Sequence, residues 1–275
     1  MTFSVQKFAA VALMATASTF SFAHAETLKV SAWGGFFEET LAAEIYPGFT
    51  AETGIEVESI AQPADQAWLT QLTAAARANS APADLSLVAD EVLIRGMNIG
   101  LWADLDKTMM PAIGGLKDGY VKMNDDGAVN AVGALSWFNT FVTNTDYSAE
   151  TPTSWADFWD RDWDGKLGML TNSNSGLMEA TAVTFFGGYE IMETREGLQQ
   201  IIDKIAEFKP KVSLWYRDEG QFQQSLEAGE LNAGMYYHDV TMLSVWDGLP
   251  VATTFPKEGG IVGDAYWVVP AASKH

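Results

Sequence analysis

The chain has 0 cysteines in 275 residues. That absence excludes disulfides, thiol nucleophiles, cysteine-ligated zinc and a lipid-anchoring cysteine. Histidine is nearly missing too: His24 lies close to the start, His275 ends the chain, and His238 alone falls within the body of the sequence. A single histidine with no serine elbow and no second histidine is more often a polar wall than a general base. Basic residues are few, with 16 Lys and Arg against 36 Asp and Glu, a formal charge of −20 and a pI near 4.3. This balance argues against nucleic acid and anionic membrane surfaces, both of which recruit Lys and Arg. Solubility of an exported protein accounts for most of the acidity. No internal repeat or low-complexity tract is present.

The N-terminal apolar run, Phe8 to Phe22, is shorter than the roughly 20 residues a membrane span needs. Lys7 precedes it and the small-x-small Ala23-His24-Ala25 follows, so residues 1–25 read as a cleavable secretory signal peptide. The expected location is the periplasm, without stable membrane insertion. What remains is long enough to bury a full core and fits either one large domain or two lobes.

Leu28, Val30 and Ala32 alternate along a strand from Thr27 to Trp33 that runs into Gly34-Gly35. Phe36 to Phe49 reads as a helix broken at Pro47; Gly54 closes it before a strand from Ile55 to Ile60. Trp68, Leu69, Leu72 and Ala76 share one face of a helix over Ala64 to Asn79, and Asp84 to Val88 gives a third strand. Asp90 is placed to cap a helix over Glu91 to Ile99, which Gly100 ends. Leu101 to Asp126 is rich in turn residues. Two extended segments, Ala131 to Leu135 and Phe138 to Asn144, then flank Ser136-Trp137, where a first crossing between lobes is expected.

Beyond that point come a short capped helix at Thr151 to Trp159, a strand at Leu167 to Leu170, and helices at Gly176 to Phe186 and Arg195 to Phe208. Strands at Val212 to Trp215, Leu231 to Tyr236 and Val251 to Phe255 follow, with helices at Gln221 to Ala228 and Val240 to Trp246 between them. Gly259-Gly260 turns the chain into a buried strand, Tyr266 to Val269, stopped by Pro270. Alternating strands and helices in both halves predict two α/β lobes with a cleft between them, residues 26–135 with 256–275 and residues 136–255.

Of the 10 tryptophans, Trp68, Trp102, Trp155 and Trp159 read as packing residues. Trp33, at the carboxyl end of a strand beside two glycines, reads as a ligand wall, and Trp137 and Trp267 stand between the two roles. Asp160 to Gly165, DRDWDG, imitates the start of a calcium loop, but its twelfth position is Thr171 in place of the bidentate glutamate, so a solvated turn is expected and no metal site.

Four stretches carry a family resemblance: ETGIEV at Glu52 to Val57, TSWADFWD at Thr153 to Asp160, EAGELNAGMYY at Glu227 to Tyr237, and FPKEGG at Phe255 to Gly260 leading on to VVPAASK. In this order and spacing they resemble the periplasmic spermidine/putrescine-binding proteins of ABC importers. The resemblance implies a type II periplasmic binding fold with a ligand cleft between two lobes. It also implies a monomeric receptor that hands a small solute to an inner-membrane permease, with no cofactor and no catalytic residue.

In that family aromatic side chains cage a thin cation and carboxylates pin its amines. Trp33 matches the family's tryptophan, Phe36 or Phe37 falls where a tyrosine usually follows, and Tyr237 holds the aromatic position after Gly-Met. Trp137 and Tyr266 are further aromatic candidates. Asp90, Glu91, Asp239 and Asp264 are the candidate carboxylates, and Ser173 lies in the candidate loop Thr171 to Gly176. That loop has no carboxylate where the family places two, and Gly263 and Ala265 stand where the family has tryptophan and aspartate. A shorter or singly charged cation is the expected ligand. The alternative within the binding class is an amino-acid-like or carboxylated solute, for which Arg217 and the amides near Ser175 are suited. A secreted carbohydrate-active enzyme using Asp90, Glu91, Asp239 and Asp264 is the alternative outside it. Relatives continue past VVPAASK with helices that pack on the first lobe, so apolar surface is expected there.

Overall fold

The computed structural model describes residues 27–34, 36–63, 65–147, 150–171, 175–217 and 219–274. The segment read as a signal peptide and the candidate Ser173 lie outside them. Among the described residues ten strands form: β1 (Thr27–Trp33), β2 (Glu56–Gln62), β3 (Leu85–Ala89), β4 (Val121–Met123), β5 (Val129–Asn144), β6 (Leu167–Leu170), β7 (Val212–Tyr216), β8 (Ala233–Tyr237), β9 (Val251–Thr254) and β10 (Ile261–Val268). The α-helices are α1 (Phe36–Thr40), α2 (Tyr46–Thr53), α3 (Asp65–Arg77), α4 (Asp90–Asn98), α5 (Asp157–Asp160), α6 (Leu177–Phe185), α7 (Arg195–Phe208), α8 (Glu219–Glu227) and α9 (His238–Trp246). No helix among the described residues is long and apolar enough to cross a membrane.

The strands join in the order β2-β1-β3-β10-β5-β8-β6-β7, with β4 and β9 each pairing with β5. In the first half β1 pairs parallel with β2 and β3; in the second half β6 pairs parallel with β7 and β8. Between the halves run β10 and the 16-residue β5, antiparallel to each other. The expected break of β5 at Ser136-Trp137 is absent, because those two residues pair with Asp264 and Gly263 and the ladder continues through them.

Three clusters fill the interior. Trp68, Leu72, Val88, Leu93, Trp102 and Tyr266 are among the buried residues under α3 and α4. Phe141, Trp155, Phe158, Trp163, Phe208 and Ile261 belong to a second cluster, and Val142, Tyr216, Phe222 and Tyr236 to a third on the opposite face of β5. The second half thus has a core on both faces of its sheet. The first half is thinner on its second face: the buried cluster there holds only small side chains and Leu87, namely Ala32, Leu87 and Ala265, with Trp33, Phe37, Leu41, Trp137 and Trp267 half-buried around them. Trp68, Trp102 and Trp155 are buried, as packing residues should be.

Local chemistry explains several boundaries. Pro47 cannot donate a hydrogen bond, and the wider π turn Leu41–Ile45 precedes it, so the helix bends without stopping and ends at Gly54 with φ 75°. Asp90 does not cap α4. It is the first helical residue, and no side chain caps at Ala89. Thr194 does cap α7, its hydroxyl accepting the Gly197 N–H at 3.0 Å. The helix expected over Thr151 to Trp159 shrinks to Asp157–Asp160, because the residues before it are held in another way.

Those residues meet the FPKEGG turn. The Glu258 carboxylate accepts the Ser154 hydroxyl at 2.5 Å and the Trp155 N–H at 3.2 Å, the Trp155 indole donates to the Gly259 carbonyl at 2.9 Å, and Lys257 N–H donates to the Thr153 carbonyl at 2.9 Å. Two stretches about a hundred residues apart are thereby joined, and the turn stays with the second half. The chain returns only along β10, between Ile261 in the second cluster and Ala265 in the first half's sheet.

Glu258→Ala strands a hydroxyl and an amide in a mostly buried place, which costs about 2 kcal/mol. The expected outcome in urea titration is a loss of that size, about half as large for Glu258→Gln, whose carbonyl still accepts one bond. Equal losses for both variants would show that the charge, and not the acceptor, holds the turn.

Candidate functional site

In open α/β sheets ligands bind beyond the carboxyl ends of the strands. Those ends place Trp33 after β1, Asp90 after β3, Thr171 after β6, Arg217 after β7, and Tyr237 and His238 at the end of β8. The β5–β10 ribbon runs between the two sets. Successive residues of a strand point to opposite faces, so Trp137 and Gly263 share one face of the ribbon and Ser136 and Asp264 the other.

On the first face the Trp137 ring stands edge-on to Trp33, with centroids 5.7 Å apart, and Phe37 lies 6.0 Å from Trp33. Gly263 lies directly beneath the indole. A Cβ built there would sit 2.4 Å from two of its ring carbons, so any other residue would lift the ring from its bed. All three aromatics are half-buried, which leaves part of each ring open to a ligand.

On the second face is a polar network. The Asp264 carboxylate accepts the Ser136 hydroxyl at 2.5 Å, and Ser136 shares a short hydrogen bond with the Tyr120 hydroxyl. Asp90 stands at the end of the β3–β10 ladder, close to the Tyr266 hydroxyl and the Asp264 N–H, and the Tyr266 hydroxyl donates to the Gly119 carbonyl at 3.4 Å. Burial pushes the Asp90 carboxyl above the usual carboxylate range; Lys122 pulls it back and the Asp264 charge pushes it further up. Burial likewise pushes the Tyr266 hydroxyl well above its ordinary value, and the charges of Asp90 and Asp264 add to this. Lys122 Nζ lies 5.0 Å from the Tyr266 ring centroid. Asp90 and Asp264 thus lie beside Lys122, and Lys117 Nζ lies 5.0 Å from the Tyr120 ring centroid on the same network.

The second half contributes differently. Tyr237 packs at 5.2 Å on Tyr236, partly buried against the third cluster. His238 Nδ1 lies 3.1 Å from the Thr253 hydroxyl and its ring 4.8 Å from Phe255, which in turn contacts Phe138 at 5.4 Å. Asp239 is exposed in the first turn of α9, and Arg217 is exposed after β7. Leu177 N–H donates to the Ser175 hydroxyl at 3.4 Å, so one of the amides considered for anion binding has a local partner.

The structure therefore brings together Trp33, Phe37 and Trp137, and separately Asp90, Asp264 and Tyr266. Tyr266 is no part of an aromatic cage with Trp33: it is 0 % exposed, on the opposite face of β10, and acts as a support for Asp90. Glu91 is occupied by an ion pair with Arg95 at 2.7 Å. Phe36 opens α1. Sequence reasoning missed Tyr120, Lys122 and Ser136. Ser136 had a signal in its place at the expected crossing; Tyr120 and Lys122 came from a stretch read as loop and reach the site only through β4.

The fold and the arrangement of its strand ends define a class: a two-lobed α/β protein of the type II periplasmic binding fold. The chain belongs to the bacterial extracellular solute-binding protein family, whose profile matches residues 44–275. It is 28% identical over 192 residues to the gamma-aminobutyric acid-binding protein of Pseudomonas aeruginosa, a match covering 68% of this chain and 51% of that protein. It is 23% identical over 255 residues to spermidine/putrescine-binding periplasmic protein 1 of Haemophilus influenzae, covering 91% of this chain and 67% of that one. The chain thus spans about half the length of the first relative and two thirds of the second. Among solved structures it is similar to the binding protein MotA of A. tumefaciens B6 in complex with glucopine, with a TM-score of 0.76 and 20% identity over 90% of this chain and 75% of that one.

The raised Asp90 pKa has a signed consequence. A carboxyl held above its unfolded value contributes stability that is complete below the ordinary aspartate pKa and is lost as pH rises through the folded value. Asp90→Asn is therefore expected to raise the ligand-free thermal midpoint at neutral pH by about 1 to 4 °C, with the gain vanishing near pH 3. A gain that persists in acid would assign the effect to packing.

Proposed function

We propose that the protein is the periplasmic, monomeric solute-binding receptor of an ABC importer. It takes a small amine-bearing solute between lobes 26–135 with 256–275 and 136–255, and presents the closed form to an inner-membrane permease. The observation that carries the ligand class is the Asp90–Asp264 pair beside Lys122, at the end of a sheet whose neighbouring strand ends in the Trp33 aromatic wall. An ammonium over an aromatic face gains roughly 0.5 to 2 kcal/mol, and a charge-assisted hydrogen bond to a carboxylate adds to it. Gamma-aminobutyric acid and the polyamines named in the two relatives share one group, a primary amine.

Polyamines are the first reading and an amino-acid-like solute the second. The second is favoured by Arg217, exposed at the carboxyl end of β7, and by a Thr171 to Gly176 loop without carboxylates. A second amine finds no acid in that loop, whereas a carboxylate finds a guanidinium nearby.

Tryptophan fluorescence titrations with spermidine, putrescine, 4-aminobutyrate and a quaternary amine should show saturable binding of at least one amine. Small-angle scattering should show the radius of gyration falling when that amine is added, as β5 and β10 flex between Trp137 and Phe141 and between Ile261 and Ala265. An unchanged scattering profile at saturating ligand would count against a closing receptor.

A further inference from the structure

Asp264 lies on β10 where the chain crosses between the halves, yet its side chain is held by a group from another strand. Its carboxylate accepts the Ser136 hydroxyl at 2.5 Å, and Ser136 is the residue directly across the β5–β10 ladder. A serine hydroxyl has one hydrogen. Because that hydrogen goes to Asp264, the short hydrogen bond between Ser136 and Tyr120 is donated by Tyr120, which gives a chain of fixed direction, from Tyr120 to Ser136 to Asp264. Hydrogen bonds in such a chain polarise and strengthen one another. The second Asp264 oxygen has no hydrogen-bond partner among the described residues and the side chain is half-buried, so one oxygen is tied and the other is left to accept.

Tyr120 in turn has little freedom. It precedes β4, its carbonyl accepts the Gly133 N–H at 2.6 Å, and its ring lies on Gly133, where a built Cβ would come within 2.3 Å of a ring carbon. Tyr266 stands edge-on to the ring with centroids 6.2 Å apart, and Lys117 Nζ lies 5.0 Å from its centroid on the same side of the molecule's crossing. These contacts all belong to the first half. The chain therefore fixes the Asp264 carboxylate relative to the first half, although β10 continues from there into the second.

We propose that Tyr120 and Ser136 are positioning residues for amine recognition: they hold Asp264 with its second oxygen turned to the solute's ammonium beside Asp90, and they hold it there before the lobes close. This rests on the reading of the Asp90–Asp264 pair as the amine site. The charges of Asp90 and Asp264 repel each other. An Asp264 released from Ser136 turns away from Asp90, and the ammonium then meets one acid in place of two.

The test measures putrescine and 4-aminobutyrate, which share a primary amine, by isothermal titration on the whole protein. Tyr120→Phe keeps the ring on Gly133 and removes only the hydroxyl; it should weaken each solute that wild type binds about threefold. Ser136→Ala should weaken it roughly tenfold, and Ser136→Thr, which keeps a hydroxyl, should recover most of that loss. Adding Tyr120→Phe to Ser136→Ala should cost less than about a further 1.5-fold, because Tyr120 acts only through Ser136, whereas two independent packing defects would multiply. Losses that multiply, a Tyr120→Phe affinity equal to wild type, or no recovery in Ser136→Thr would each overturn the proposal and leave the receptor reading standing. Wild type that binds neither solute would overturn the amine site and the proposal with it.

Discussion

The structure depends on one antiparallel pairing, that of β5 with β10. Through it a single sheet path passes from three parallel strands to another three, and both halves close their interiors against the same two strands. A flexible linker would leave the strand ends of the halves free to face in any direction. A hydrogen-bonded ribbon fixes which ends face each other while allowing bending across few residues. Trp137, Ser136 and Asp264 lie on the faces of this ribbon, and Asp90 and Tyr237 at the ends of the strands next to it.

Alternation along the ribbon then divides the chemistry. Trp137 and Gly263 point one way, Ser136 and Asp264 the other, so aromatic and acidic groups occupy opposite faces and meet only at the strand ends. The acidic face is maintained against its own interest. Burial and the Asp264 charge disfavour ionised Asp90, and Lys122, the Tyr266 hydroxyl and the Asp264 N–H relieve this only in part. Stability left unrealised in this way is what a binding site for a cation requires, since a ligand can strengthen only an interaction the protein has not already completed.

How much of this was legible in the sequence follows the range of the forces involved. Local signals worked: Leu28, Val30 and Ala32 marked β1, the apolar face of Arg195 to Phe208 marked α7, and Gly54 closed α2. Non-local pairing did not show. β5 was divided at Ser136-Trp137 because its partner lies over a hundred residues away, β4 was lost in a turn-rich stretch, and Glu258 gave no sign that it would hold Ser154 and Trp155. The candidate site was legible as a list of residues, not as a geometry. Trp33 and Trp137 met, whereas Tyr266, a fair aromatic candidate by position, faced inward because β10 is buried on the α4 side.

Period two also changes what the departures from the resembled family mean. Gly263 and Ala265, where that family has tryptophan and aspartate, lie on the aromatic face; Asp264 lies between them and therefore on the other. An acid displaced by one position along a strand is not a near miss, because it crosses the sheet. The tryptophan, in contrast, is replaced from the paired strand: Trp137 lies directly across from Gly263 and covers it, so the aromatic wall persists with the indole entering from β5. The face keeps its ring and has no carboxylate where the resembled family has one.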